Sequence, residues 1–191
     1  MIEDWQKFLS EWAASFPGAD VGAGPLCGFG EEGASVSELL VAEDRLGCRL
    51  PSSYRSFLRV TNGLRQPRHA WPASGGDYWA IQSVDWFRVR NRAWIEAYRH
   101  GRDEEMHEGP AYGDAQDSAR FRFEHLRRSL EISHDGDACI YLLNPSVIDG
   151  DGEWEAWSFA NWHPGAVRYR SFAEMLSEHR REYMESGEGG F

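Results

Sequence analysis

The chain has 191 residues, 41% hydrophobic and 27% charged, a balance that fits one globular domain with a sizeable core, alone or with an insertion. Its formal net charge of −11 argues against a general role on nucleic acid, whose phosphates it would repel, and favours a cationic partner. No apolar run approaches the roughly 20 residues that span a bilayer, and the start, M-I-E-D-W-Q-K-F, lacks the basic and apolar regions of a signal peptide.

Three scattered cysteines, Cys27, Cys48 and Cys139, form no C-x-x-C pair and read as reduced thiols in a cytoplasmic protein. Lys7 is the only lysine, and the resulting arginine bias carries no functional reading.

Ile2, Trp5, Leu9, Trp12 and Phe16 recur at three- and four-residue steps, which predicts one apolar helix face over 2–16, stopped by Pro17-Gly18. Residues 17–34 are Gly-rich and read as loop. Gly22-Ala23-Gly24 does not make a dinucleotide fingerprint, because the third glycine is misplaced and a helix precedes it. Ser35 and Glu38 have capping-box spacing before Val36, Leu39, Leu40 and Leu46, with Gly47 as the stop. Pro51 suits the first turn of a further helix to about Val60, which buries Tyr54, Phe57 and Leu58. Asn62-Gly63 is expected to end it in left-handed backbone.

Tyr78–Ile81 reads as a short strand, and Trp86–Tyr98 as a helix burying Phe87, Trp94 and Tyr98 or their neighbours. Residues 99–124 are polar and read as a long loop or partly ordered insertion. Leu130–Ser133 alternates like a half-buried strand, and 134–137 is a turn. Cys139–Leu143 is apolar on both faces, as a central strand is. A turn-rich connection over 144–152 leads to a strand at Trp154–Phe159, a turn at 162–165 and a short strand at Val167–Tyr169. Ser171 and Glu174 open a last helix with Phe172, Met175, Leu176 and Tyr183. Helices, then an antiparallel meander, then a helix make an α+β fold. The expected division is an N-terminal helix and linker over 1–34, a domain over 35–185 with its insertion around 99–124, and a flexible tail over 186–191.

Few residues of the sequence are arranged for catalytic or metal chemistry. His134, Asp135 and Asp137 cluster in a turn, where Asp and Gly serve the backbone. Asp149-Gly150-Asp151-Gly152-Glu153 imitates the start of a calcium loop, but Trp154 stands at loop position six and Ala160 at twelve. No zinc spacing, nucleophile elbow or Cys–His signature is present, and Cys139 sits in the most apolar strand, where a thiol is inert. Glu174, Glu178 and Glu182 read as a solvated helix face. No catalytic, cofactor or metal residue is assigned. Nine Trp and seven Tyr exceed the usual need of one small core and are typical interface anchors. By strand parity Trp157 and Phe159 share a face with Glu155, and Trp154 takes the other. Unless a bulge intervenes or both sheet faces are covered, one of the two tryptophans is left for a partner.

Ala42-Glu43-x-x-Leu46-Gly47-x-x-Leu50-Pro51-x-x-Tyr54-x-x-Phe57-Leu58-x-x-x-Asn62-Gly63 resembles the signature of the SUKH superfamily, related to the yeast cell-wall synthesis regulator. Gly136-Asp137, Ile140-Tyr141-Leu142, Trp154-Glu155-Ala156-Trp157 and Tyr169-x-Ser171-Phe172 match in order and type over about 35–185. The resemblance implies an α+β, SUKH-like fold with a central, mostly antiparallel sheet flanked by helices. It also implies a non-enzymatic bacterial immunity protein, which neutralises a cognate polymorphic toxin by stoichiometric occlusion. A basic, nuclease-type toxin would suit the acidity. Partner contacts are expected at Asp149, Asp151, Glu153, Trp154 and Glu155 around the meander loop, and at Asp103, Glu104 and Glu105 in the insertion, with the protein a monomer or homodimer. The alternatives are a regulatory protein-binding scaffold like the yeast regulator, and a cryptic hydrolase or metal-binding enzyme.

Overall fold

The computed structural model describes residues 2–15, 29–65, 76–99, 112–136, 138–162 and 165–187. Helix α1 (Trp5–Ala14) starts at Asp4, whose carboxylate accepts the Lys7 amide at 2.9 Å and satisfies one of the otherwise orphaned donors of the first turn. It buries Trp5, Leu9 and Trp12; Phe16 lies outside the described residues. Helix α2 (Val36–Leu46) carries the reciprocal Ser35–Glu38 capping box and ends at Gly47 with φ 71°. Its buried stripe is Leu39, Ala42 and Leu46. Val36 and Leu40, apolar residues of the sequence pattern, face outward together with Val41. Helix α3 (Ser52–Val60) follows Pro51 and buries Tyr54, Phe57 and Leu58. The chain leaves α3 through extended Thr61; of the Asn62-Gly63 pair only the glycine has positive φ. The Asn62 side chain instead accepts the Ile81 amide at 2.7 Å, tying the end of α3 to the next segment.

Five strands follow in a simple meander: β1 (Asp85–Trp86), β2 (Leu130–Glu131), β3 (Cys139–Ile148), β4 (Trp154–Ala160) and β5 (Gly165–Tyr169). Each pairs antiparallel with the next, in the order β1-β2-β3-β4-β5. Between β1 and β2 lie α4 (Phe87–Arg90), α5 (Arg92–Arg99) and α6 (Phe123–Leu126), and α7 (Phe172–Gly187) closes the chain. The fold is α+β, with an antiparallel sheet flanked by helices.

Side-chain alternation divides the sheet into two apolar faces. Tyr141, Leu143, Trp154, Ala156 and Tyr169 pack with α1, α2, α3 and α7 in the larger core. There the Phe172 ring meets Tyr54 and Phe57 at 4.9 Å each. Ile140, Leu142, Trp157, Phe159 and Ala166 face the other way, onto Phe87, Ile95, Phe121 and Leu126. Among the described residues two cores, rather than one, take up most of the aromatic side chains, while Trp162 stays exposed. Trp154 and Trp157, on opposite faces, are both buried, so neither is left over for a partner.

Several local expectations change for related reasons. Leu130–Ser133 is buried throughout, not half-buried, because helices cover both faces. Tyr78–Ile81 forms no strand; Tyr78 alone bridges Leu64 and Ser133. The helix expected over 86–98 begins as strand β1 and breaks at Asn91, whose amide donates to the buried Glu131 carboxylate at 2.9 Å. Strand β3 runs on to Ile148 through an irregularity between Asn144 and Ile148, where a loop is expected. Residues 112–122, read as part of a polar insertion, cover the outer edge of β5. The Ala166 amide donates to Ser118 O at 2.9 Å, and Gln116 exchanges two hydrogen bonds with the Arg168 backbone. Pairing an edge in this way blocks addition of a further strand.

Candidate functional site

The acidic residues expected to meet a partner separate sharply in the structure. Asp149 and Asp151 stand exposed on the β3–β4 turn. The Asp149 carboxylate accepts the amides of Asp151 and Glu153, each at 2.9 Å, so the Asp-Gly pattern here builds a turn. Glu153, Trp154 and Glu155 are only 3%, 5% and 6% exposed and point inward. Asp103, Glu104 and Glu105 lie outside the described residues.

Glu153 is held at the start of α3, where its carboxylate accepts the Ser53 amide at 2.8 Å, the Ser52 hydroxyl at 2.5 Å and the Ser53 hydroxyl. Glu155 lies on the opposite sheet face in a buried polar network. It accepts from Trp157 Nε1 at 2.7 Å and Asn144 Nδ2 at 2.8 Å, and from the Tyr112 hydroxyl, which burial and the nearby carboxylate push up to about 12. Asn144 Nδ2 also donates to His125 Nδ1 at 3.0 Å. That bond requires a bare Nδ1 and places the proton of the neutral ring on Nε2. Burial depresses the His125 pKa and favours this neutral form. Among the described residues no nucleophile is hydrogen-bonded to His125 Nε2, so the network satisfies buried polar groups and fixes the β3 irregularity. Ser146 N closes it by donating to Asn144 Oδ1 at 3.0 Å.

His125 forms part of the floor of an open groove of about 1550 Å³. Its apolar floor includes Ile95, Phe123 and Pro145, and its rim carries Arg88, Arg92, Arg127 and Arg128 against Glu96 and Glu124. The four arginines are exposed, and among the described residues none has an ion pair. Elsewhere Arg55, Arg65, Arg90, Arg120, Arg170, Arg180 and Arg181 each sit against a carboxylate. In a chain of net charge −11, the groove therefore keeps a local positive excess, four arginines against two glutamates. These arginines are not among the residues expected from the sequence to meet a partner. The local signal was Arg88-x-Arg90-x-Arg92 and the Arg127-Arg128 pair, but nothing in the primary pattern shows that the two meet.

Among the described residues no group of three or more His, Cys, Asp and Glu could hold a metal ion, and no helix is long and apolar enough to cross a membrane. What these side chains assemble is a charged, apolar-floored surface suited to binding. The family model for the SMI1 / KNR4 family (SUKH-1) matches residues 33–178, from the capping loop of α2 into α7. No curated protein matches the chain.

Proposed function

The chain belongs to the SMI1 / KNR4 family (SUKH-1), whose domains are generally non-catalytic binding proteins and include immunity proteins, and from that premise we propose that it is an immunity protein. It binds one cognate toxin and blocks it by stoichiometric occlusion, in the cytoplasm of a bacterium, with no catalysis of its own. Family membership is the observation that carries this reading.

The charge supports the partner's chemistry. A toxin that cleaves nucleic acid is basic where it holds phosphate, and a net charge of −11 draws such a surface in. Steering of this kind raises association to about 10⁸ M⁻¹s⁻¹ or more at low salt, which suits an inhibitor that must act before damage accumulates. The exposed Asp149–Asp151 turn, with Ile148 beside it 56% exposed, is the contact proposed for this partner. Glu153, Trp154 and Glu155 contribute by holding that turn in place, because their side chains are committed inside.

The test is co-expression with the secreted toxin encoded beside this gene. Growth is expected to be rescued, a one-to-one complex to be isolated, and its association rate to fall as salt rises. Asp151→Lys should slow association without altering stability. Failure to bind any toxin encoded alongside would overturn the proposal. Binding to an endogenous protein in a genome without such a toxin would favour a regulatory scaffold.

A further inference from the structure

We propose that the arginine-rimmed groove between α4, α5, α6 and the outer half of β3 is a second binding site, and that its occupant is an acidic, partly apolar segment of a protein. The inference goes beyond toxin neutralisation and does not require that the partner be a toxin.

The groove's size points to a polymer. Small-molecule pockets occupy about 300–1,000 Å³, and this open groove, at about 1550 Å³, is larger, with volume for a peptide segment. Its charge specifies carboxylates. The side chains of Arg92, Arg127 and Arg128 make no hydrogen bond or ion pair among the described residues, and Arg88 keeps its guanidinium 5.0 Å above the Trp86 ring while donating to the Arg127 backbone O at 3.0 Å. Arg88 is thereby fixed before any ligand arrives, and a planar guanidinium held in one orientation donates bidentately to a carboxylate with little further ordering. The apolar floor of Ile95, Phe123 and Pro145 would take a hydrophobic side chain between the charged ones.

A nucleic acid fits this groove less well. Glu96 and Glu124 interrupt the basic rim, so a continuous phosphate chain would run against two carboxylates, whereas a peptide can place its neutral residues there. The net charge of −11 repels a polyanion over the whole approach, while a short acidic segment brings only a few charges against it. The Trp86 ring, on which a base could stack, is already covered by Arg88.

The experiment pans a phage library of random twelve-residue peptides against the full chain and measures a selected peptide by fluorescence polarisation. A twelve-nucleotide dT oligomer is titrated in parallel. The expected result is enrichment of peptides combining Asp or Glu with apolar residues, bound about tenfold or more weakly by Arg92→Glu and by Arg128→Glu and equally well by Asp151→Lys. Unchanged melting temperatures show that the exposed substitutions leave the fold intact; Arg92→Gln and Arg128→Gln replace them if they do not. The proposal is overturned if no acidic peptides emerge, if those that emerge bind the arginine variants as well as the parent, or if the oligomer binds the groove more tightly. Since no toxin takes part, failure here leaves the immunity reading standing, and failure of toxin binding leaves this one.

Discussion

Glu153 caps a helix that begins a hundred residues earlier: its Oε1 accepts the Ser53 amide of α3 at 2.8 Å across a sequence separation of 100. Pro51, at the N-cap position, supplies no side-chain acceptor. The first turn of α3 therefore depends on a carboxylate from the β3–β4 connection, placed where the helix dipole favours negative charge. Glu153→Ala strands the buried Ser53 amide and hydroxyl and removes the acceptor of the exposed Ser52 hydroxyl. It should destabilise the protein by about 2 kcal/mol, read as a lower urea midpoint with an unchanged m-value. Glu153→Gln should recover part of this, because the amide oxygen still accepts.

Within the adjoining turn the two exposed aspartates are predicted to differ. Asp149 holds two backbone amides, so Asp149→Ala should cost about 1 kcal/mol. Asp151 has no side-chain hydrogen bond or ion pair among the described residues, and Asp151→Ala should stay within about 0.5 kcal/mol of the parent. Equal costs in thermal or urea unfolding would show that the turn does not rest on Asp149.

Gly165 opens β5 with φ 127°, and a Cβ there would sit 2.0 Å from Ser118 O. Both the backbone conformation and the approach of the edge-covering segment demand glycine. Gly165→Ala should destabilise by about 3 kcal/mol. Hydrogen exchange should locate the damage, with the Ala166 and Arg168 amides losing protection before those of β3.

Two buried groups give stability opposite pH dependences. His179, between Tyr78 Oη at 3.4 Å and Ser158 Oγ at 3.2 Å, is pushed by burial from 6.5 down to about 3. A depressed folded-state value means that its contribution is fully present above pH 6.5 and is lost as pH falls towards 3. Glu131 is pushed by burial from 4.5 up to about 7, against the pull of the Asn91 hydrogen bond and of Arg90 at 3.7 Å, with Asp85 adding to the rise. Its contribution is fully present below pH 4.5 and is lost as pH rises through 7. Each group changes the unfolding free energy by up to about 1.4 kcal/mol per pH unit within its window. Urea titrations from pH 3.5 to 8 should show a shallower acid limb for His179→Gln and a smaller loss between pH 4.5 and 7 for Glu131→Gln. Parent-like slopes in either variant would remove that residue from the account.

Much of the local structure was legible because its causes are local. Pro51, Gly47 and the Ser35–Glu38 pair mark helix ends through backbone geometry and short-range hydrogen bonds, and the helices lie where those signals put them. The break at Asn91 was not legible, because it answers to Glu131, forty residues away. The arginine groove was hidden for the same reason: Arg88 and Arg92 meet Arg127 and Arg128 only after β1 and β2 pair.

The sequence by itself determined the α+β order of elements, the helix caps and the assignment of Trp154 and Trp157 to opposite faces of β4, since alternation along a strand needs no partner to be read. Only the tertiary structure decided what lies over each face. Helices α1, α2, α3 and α7 cover one side and α4 to α6 the other, so both tryptophans are core. The acidic Glu153 and Glu155, exposed by any reading of charge, are drawn inside because donors from α3 and from β3 and β4 meet them there. Burial of a charge depends on the partners that compensate its lost water, and those partners are distant in the chain.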